Sequence, residues 1–148
     1  MTDIKYTSKK ANKNEILNHL LLCNSQFIPE LSSRVNIEEY STKIQNNATT
    51  FEAWDKDQLI GLIAIYFNDE IKNSFITNVS VLKTHGYLGI ASKLIDACIK
   101  FAKRCGFFEI KLEVNKDNLN AINFYKKHNF IEIDKVHETL TMKLDIKK

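Results

Sequence analysis

The stretch from Val79 to Ala91 contains the residue types that point most directly to ligand chemistry. It has the pattern of a strand end, a turn with Gly86 and Gly89, and the start of a helix. Glycine lets the main chain approach a ligand closely, and the first N–H groups of a helix attract negative charge. This order therefore predicts a site for a phosphate-bearing ligand that is held mainly by main-chain groups.

Two common phosphate motifs do not fit this stretch. A P-loop ends in Gly-Lys-Ser or Gly-Lys-Thr, whereas Gly89 is followed by Ile90. A dinucleotide fingerprint needs Gly-x-Gly-x-x-Gly early in a βαβ unit, and that spacing is absent from the sequence. The phosphate-bearing ligand is therefore expected to belong to another class.

The composition is that of an ordinary globular domain. The chain has 148 residues, of which 44% are hydrophobic and 26% charged, so we expect a single domain over residues 1–148. The net charge of +3 is spread along the chain, which argues against a nucleic-acid partner and suits a small anionic ligand. Because no apolar run is long enough to span a bilayer and the first residues lack a signal-peptide pattern, we expect a cytoplasmic protein without a membrane partner.

The three cysteines are interpreted as reduced thiols. Cys98 and Cys105 lie on one predicted helix about 10 Å apart, at about 1.5 Å per residue, which is too far for a disulfide. Both fall on the predicted apolar stripe of that helix, so we expect core thiols rather than nucleophiles. Cys23 stands alone, and no Cys/His spacing resembles a metal site, so no metal is expected.

The hydrophobic periodicity predicts strand, two helices, three strands, helix, strand, helix and two strands. Capping patterns at Asn12 and Asn36 begin the first two helices. A helix separates the strand Ile71–Val81 from the strand Phe107–Val114, so these two strands should be parallel. We therefore expect an α+β fold, an α/β three-layer arrangement. Its mixed, mostly antiparallel sheet would have about seven strands flanked by about four helices.

A second motif follows one helix and one strand after the glycine turn. The run from Asn118 to Phe130 is similar to the pattern Asn-x-x-Ala-x-x-Phe-Tyr-x-x-x-Gly-Phe, and Gly86 to Ala91 resembles Arg/Gln-x-x-Gly-x-Gly/Ala. Together they resemble the GNAT superfamily of acetyl-CoA-dependent N-acetyltransferases. The chain departs from the family pattern at Gly86, where Arg or Gln is usual, and at Asn129, where Gly is usual.

The resemblance implies acetyl-CoA as co-substrate. Main-chain N–H groups from Gly86 to Ser92 would hold the pyrophosphate, and a strand bulge near Val79 to Val81 would pair with the pantetheine arm. The residues that the resemblance assigns to cofactor binding are Val79, Ser80, Val81, Gly86, Tyr87, Leu88, Gly89, Ile90, Ala91, Ser92, Asn118, Ala121 and Tyr125.

The resemblance also implies two catalytic residues. Tyr125 matches the family's general acid, and a phenol with a pKa of about 10 suits a departing thiolate; the alternative is a half-buried aromatic residue. Glu113 matches the base of the ribosomal-protein N-terminal acetyltransferases, which carry a similar Leu-Glu-Val run; the alternative is a solvated charge beside Lys111. His85 is a lesser candidate for the base and is expected near the phosphates.

The implied reaction is acetyl transfer to a primary amine of a small molecule, by direct attack in a ternary complex. The acceptor would be an amino sugar, amino acid, polyamine or antibiotic. A protein N-terminal or lysine acetyltransferase is the first alternative, and a non-catalytic acyl-CoA-binding module the second. The first two helices, the loop Asn24–Arg34 and the last hairpin would select the acceptor. Phe27, Tyr40 and Trp54 are expected either to line its pocket or to belong to the core. The oligomeric state is expected to be monomer or homodimer.

Overall fold

Seven strands build one sheet. In the computed structural model, which describes residues 3–146, they are β1 (Ile4–Ser8), β2 (Thr49–Asp55), β3 (Gln58–Asn68), β4 (Asn73–Val81), β5 (Glu109–Asn115), β6 (Ile131–Val136) and β7 (Thr139–Asp145). They lie in the order β1-β2-β3-β4-β5-β7-β6. All neighbours are antiparallel except β4 and β5, which are parallel. The predicted mixed, mostly antiparallel sheet is therefore confirmed.

Four α-helices connect the strands. They are α1 (Lys13–Cys23), α2 (Ile37–Asn47), α3 (Ile90–Arg104) and α4 (Leu119–Lys127). Short 3₁₀ turns occur at Asn24–Gln26, Leu31–Ser33 and Lys83–Leu88. The predicted number and order of helices and strands are confirmed.

Asparagine side chains begin three of the four helices. The Asn12 side chain accepts a hydrogen bond from the Glu15 N–H, and the Glu15 side chain accepts one from the Asn12 N–H, which is a complete capping box. Asn36 caps α2 and Asn118 caps α4 by accepting from the N–H group three residues later. These local contacts explain why the helix starts could be predicted from the sequence.

The helices cover both faces of the sheet. Ile16 and Leu20 of α1 and Ile44 of α2 pack in one buried cluster with Leu62 and Ala64 of β3. The opposite cluster contains Leu94 and Ile95 of α3, Ile122 of α4, and Ile63 and Ile65 of β3. Because successive residues of β3 enter opposite clusters, this strand is buried on both faces, as its unbroken apolar run predicted.

Gly61 lets α3 approach the sheet closely. A Cβ atom added to Gly61 would lie 2.9 Å from Cγ2 of Ile90 and 3.1 Å from Cδ1 of Leu94. A side chain at this position of β3 would therefore push the first turn of α3 away from the sheet. The missing side chain fixes the start of α3 beside the end of β4.

β4 and β5 pair along only part of their length. Hydrogen-bonded pairing runs from Asn73 to Ile76 on β4 and from Glu109 to Leu112 on β5, and beyond these residues the strands separate. A bulge accompanies this change, because Ile65 faces Ile76 while Ala64 faces Asn78. The extra residue is Thr77, so the bulge lies two positions before the range Val79 to Val81, near which it was expected.

The end of α3 corrects a second expectation. Cys98 is buried as predicted, but Cys105 is exposed, because α3 ends at Arg104 and the chain turns there. Gly106 follows in the left-handed region with φ of +83°, which is the usual way for a helix to stop. No helix within residues 3–146 has the length and apolar character needed to cross a membrane.

Candidate active site

The site lies where β4 and β5 separate. Alternate residues of an antiparallel strand direct both main-chain groups toward the same neighbour. The Leu82 N–H donates to Ile60 on the β3 side at 2.8 Å. Val79 and Val81 must therefore direct their N–H and C=O groups away from β3. The opening is thus bordered by main-chain donors and acceptors that an extended ligand could use.

A cavity of about 120 Å³ occupies this opening. Its walls come from the loop after α1, from β4 and β5, and from α4. Five of the predicted site residues are among them: Val79, Glu113, Asn118, Ala121 and Tyr125. The fold therefore brings residues from three distant parts of the sequence to one place.

Tyr125 enters the cavity from α4. Its side chain is only 8% exposed and packs against Phe124 and Phe130, with ring centroids 5.5 Å and 5.8 Å away. The hydroxyl group makes no hydrogen bond to any part of the chain between residues 3 and 146. Burial raises the pKa of Tyr125 well above the usual value for a phenol. The hydroxyl group is therefore protonated at neutral pH and free to bond to a ligand.

Glu113 lies on the other face of β5. Its neighbours Leu112 and Val114 are buried in the cluster that contains Tyr125, so the alternation of the strand turns Glu113 away from that cluster. The Glu113 side chain is exposed. Lys111 pairs with Glu109 at 3.4 Å instead. The carboxylate of Glu113 and the hydroxyl of Tyr125 therefore approach the cavity from opposite faces of the sheet.

The glycine turn leads into α3 in the conformation that an anion site needs. Gly89 has φ of +71°, and the first hydrogen bond within α3 runs from the Lys93 N–H to the Gly89 carbonyl at 3.2 Å. The N–H groups of Ile90, Ala91 and Ser92 therefore have no partner inside the helix. This helix start can receive an anion through the main chain alone.

Side chains near this turn are mostly occupied elsewhere. His85 bonds to Asp55 at 2.9 Å and so ties the turn to the end of β2. The Ser92 hydroxyl contacts Nε2 of His128 at 3.2 Å, on the side of α4. The side chain of Tyr87 lies outside the described part of the chain. None of the residues from Gly86 to Ser92 lines the cavity.

The Ser80 side chain points away from the opening and belongs to a buried hydrogen-bond network. His19 is 1% exposed, and its Nδ1 lies 2.9 Å from the Leu59 carbonyl and its Nε2 2.8 Å from the Ser80 hydroxyl. The Asn78 amide donates to the same hydroxyl at 2.9 Å. Burial lowers the pKa of His19 to about 4, against two hydrogen bonds that raise it. Ser80 can therefore contribute only main-chain atoms or packing to the site, and His19 is neutral at physiological pH.

The side of the cavity toward α1 and α2 is where we expected the acceptor. Phe27 lines the cavity, and the Tyr40 hydroxyl donates to the main-chain oxygen of Thr77 at 2.7 Å, directly at the bulge. Trp54, the third expected aromatic residue, is buried elsewhere with its indole N–H on the Thr7 hydroxyl at 2.7 Å. Trp54 was expected either to line the acceptor pocket or to belong to the core, and the structure places it in the core.

The comparison with known families agrees with this geometry. Residues 14–130 match the acetyltransferase (GNAT) family. The chain belongs to the GNAT family. The expected membership of the GNAT superfamily is thereby confirmed. Within residues 3–146 no group of three or more His, Cys, Asp and Glu side chains is placed to bind a metal ion.

One curated relative matches part of this GNAT chain. The chain is 29% identical over 93 residues to N-alpha-acetyltransferase 30 of Schizosaccharomyces pombe, and the match spans 60% of this chain and 61% of that protein. The chain therefore spans less than two thirds of the length of this relative.

Two solved structures have the same fold. The paia N-acetyltransferase of Thermoplasma acidophilum, solved with coenzyme A, gives a TM-score of 0.78 at 16% identity, over 97% of this chain and 99% of that one. The ribosomal-protein-S18-alanine N-acetyltransferase of Escherichia coli gives 0.75 at 13% identity, over 99% and 96%. At these identities the likeness shows the fold alone.

Acetyl-CoA fits the residues that this GNAT protein presents. The outward main-chain groups of Val79 lie beside the opening, and the uncapped start of α3 lies after Gly89. An amide-containing arm and a pyrophosphate need these two features. Asn118 lines the cavity, although its side-chain oxygen already accepts from the Ala121 N–H at 3.2 Å. Its amide N–H groups have no partner among the described residues and are available to the arm.

Gln26 is a functional candidate that the sequence did not reveal. Its side chain donates to the Val81 carbonyl at 2.9 Å and accepts from the Lys83 N–H at 3.0 Å. The amide of Gln26 thus takes a place beside β4 that the GNAT resemblance assigned to the pantetheine arm. No local pattern could have identified it, because its partners lie 55 and 57 residues further along the chain.

Proposed function

We propose that this protein transfers the acetyl group of acetyl-CoA to a primary amine of a small molecule by direct attack in a ternary complex. One observation carries the proposal. Tyr125 and Glu113 line the same cavity of about 120 Å³, and they approach it from opposite faces of the sheet. A proton donor and a proton acceptor therefore stand on either side of a single reaction space.

Acetyl-CoA supplies an activated acetyl group as a thioester, together with a pyrophosphate handle. The N–H groups of Ile90, Ala91 and Ser92 are placed to bind the pyrophosphate. The main-chain groups of Val79 are placed to bind the arm. Binding through the main chain explains why Gly86 can replace the longer polar side chain of the family pattern.

Glu113 and Tyr125 divide the proton transfers between them. A new bond forms between the amine nitrogen and the acetyl carbon while the bond from that carbon to sulfur breaks. The Glu113 carboxylate accepts the proton that the amine gives up, directly or through a water. The Tyr125 hydroxyl donates a proton to the departing sulfur. Because burial raises the pKa of Tyr125, the donor form is present throughout the physiological pH range.

The size of the cavity supports a compact acceptor. Pockets for drug-sized ligands typically measure about 300–1,000 Å³. The cavity of about 120 Å³ is much smaller, and it must also receive the acetyl end of the donor. A small amine such as an amino acid or short polyamine fits this space better than a whole aminoglycoside.

Acetylation of a protein N-terminus or a lysine side chain is the second candidate. It is favoured by the similarity to N-alpha-acetyltransferase 30 and by the position of Glu113, whose Leu-Glu-Val run resembles that of the ribosomal-protein enzymes. A short N-terminal segment could enter the opening from the side of α1 and α2. A non-catalytic acyl-CoA-binding module is disfavoured, because Tyr125 and Asn118 are both present and both line the cavity.

A thiol-release assay tests the proposal. The full chain is incubated with acetyl-CoA and a panel of amino acids, amino sugars, polyamines, antibiotics and short peptides. We expect release of free coenzyme A with at least one small amine and little with peptides. Release only with peptides would contradict a small-molecule acceptor and support acetylation of a protein N-terminus or lysine. Binding of acetyl-CoA without release on any amine would support the non-catalytic module.

A further inference from the structure

Arg34 brings a positive charge to the acceptor side of the cavity. It directly follows the 3₁₀ turn Leu31–Ser33, in the loop between α1 and α2, and it lines the cavity together with Glu113. Its guanidinium group forms no ion pair and no side-chain hydrogen bond with any residue between positions 3 and 146. The part of the chain that the structure describes therefore offers no anion to this charge.

The contacts of Tyr40 relate the charge of Arg34 to the bulge at Thr77. The Tyr40 hydroxyl contacts both the main-chain oxygen and the hydroxyl of Thr77, at 2.7 Å and 2.9 Å, and so it marks the bulge that borders the opening. Burial raises the pKa of Tyr40 to about 12, while the Thr77 hydrogen bond and the positive charge of Arg34 oppose this rise. Arg34 and Thr77 also line the same cavity, so the guanidinium group can reach a ligand beside the bulge.

Arg34 does not belong to the proposed binding site for the pyrophosphate of acetyl-CoA. The anion site for the pyrophosphate is the start of α3 and the turn from Gly86 to Ser92, and none of these residues shares the cavity with Arg34. Arg34 comes instead from the α1–α2 side, beside Phe27. Its charge is available to the acceptor rather than to the donor.

Arg34 and Glu113 provide opposite charges in one cavity without pairing to each other. A ligand that contacts both would need a positive or hydrogen-bond-donating group and a negative group a short distance apart. We propose that the acceptor is a small amine that also carries an anionic group, with its amine at Glu113 and its anion on Arg34. Guanidinium binds carboxylate and phosphate in the same forked geometry, so either anion would serve.

This inference rests on the proposed function and narrows its substrate class. The experiment compares acceptors in matched pairs in the thiol-release assay. α-Amino acids are paired with their carboxamides, and phosphoethanolamine is paired with ethanolamine. The first pairs test a carboxylate and the last tests a phosphate, while the amine is kept in each case.

We expect kcat/KM to be about 10- to 100-fold higher for the best anionic acceptor than for its neutral counterpart, as for a charge-assisted hydrogen bond. Arg34→Ala should remove this preference by raising KM for the anionic acceptor, so that kcat/KM becomes about equal for the anionic acceptor and its neutral counterpart. Arg34→Lys should restore part of it. Arg104→Ala is the matched control, because Arg104 lies at the end of α3 over the ring of Phe101.

The outcomes separate this inference from the proposed function. Turnover of neutral amines as efficient as that of their anionic partners, or a preference unchanged by Arg34→Ala, would overturn the inference and leave acetyl transfer to small amines standing. Turnover of peptides alone, or of no amine at all, would overturn both.

Discussion

The side-chain amide of Gln26 lies 2.9 Å from the main-chain oxygen of Val81, and the Lys83 N–H lies 3.0 Å from the same side chain. One residue of the α1–α2 loop therefore spans the end of β4, beside the edge that we assign to the pantetheine arm. The loop also carries Phe27 and Arg34 on the acceptor side of the cavity. The contact links the surfaces that we propose for the two substrates.

Gln26→Ala should affect the two substrates in opposite directions. It frees the Val81 carbonyl for the donor, so we expect Kd for acetyl-CoA to fall about 2- to 10-fold, as for one net hydrogen bond. The released loop should raise KM for the acceptor. Calorimetry and steady-state kinetics measure the two effects. Gln45→Ala is the control, because Gln45 also accepts a main-chain hydrogen bond, from Lys13, but away from the cavity. Weaker acetyl-CoA binding in Gln26→Ala would show that Gln26 supports the donor site instead.

Tyr125→Phe tests the general acid. Phenylalanine keeps the packing against Phe124 and Phe130 but removes the proton donor. We expect kcat to fall about 100-fold or more, with Kd for acetyl-CoA nearly unchanged. Tyr6→Phe serves as the control, because Tyr6 is an exposed residue of β1. A normal kcat in Tyr125→Phe would contradict the assignment.

Glu113→Gln tests the general base. The amide cannot accept a proton, so the amine must lose its proton to solvent, and the pH–rate profile should shift toward higher pH with a lower maximum. Initial rates between pH 6 and pH 10 give the profile. Glu39→Gln, on the exposed first turn of α2, should leave the profile in place. If the Glu113→Gln profile also stays in place, Glu113 is not the base.

The two glycines of the turn make a matched pair. Gly89 has φ of +71°, whereas Gly86 has no left-handed conformation, and an added Cβ would meet no atom within 4 Å at either position. Gly89→Ala should therefore lower the free energy of unfolding by about 1–2 kcal/mol through backbone strain and weaken acetyl-CoA binding. Gly86→Ala should be nearly neutral. Urea unfolding and calorimetry check both, and equal effects at the two positions would contradict the strain argument.

Burial of neutral His19 predicts a pH dependence of stability. The folded pKa of about 4 lies below the usual value of 6.5, so only the unfolded chain gains a proton as the pH falls below 6.5. The contribution of His19 is fully present above pH 6.5 and is lost as the pH falls toward 4. Between pH 7 and pH 5 the loss should be about 2 kcal/mol.

Urea unfolding of the wild type and of His19→Gln at both pH values isolates this effect. The variant should lose less stability than the wild type on acidification, because glutamine does not titrate. His137→Asn controls for an exposed histidine. Parallel loss in the wild type and His19→Gln would show that other groups cause the acid sensitivity.

The sequence alone predicted the helices and strands, and it named Tyr125 and Glu113 as catalytic candidates. Helix starts at Asn12 and Asn36, and the glycine turn at Gly89, depend on contacts within a few residues, so local chemistry reveals them. The run from Asn118 to Tyr125 is likewise contained in one helix and its cap. Such signals survive in the sequence because the interacting residues are neighbours along the chain.

Only the tertiary structure decided how these pieces meet. It placed the bulge at Thr77, because the register between β3 and β4 is set by packing along both strands. It also brought Gln26 to Val81 and Arg34 into the cavity with Glu113. The contact between Gln26 and Val81 joins residues 55 positions apart, and no propensity or period in either segment encodes the other. The proposed donor site thus rests largely on local pattern, whereas the proposed acceptor site depends on how the loop after α1 folds back onto the sheet.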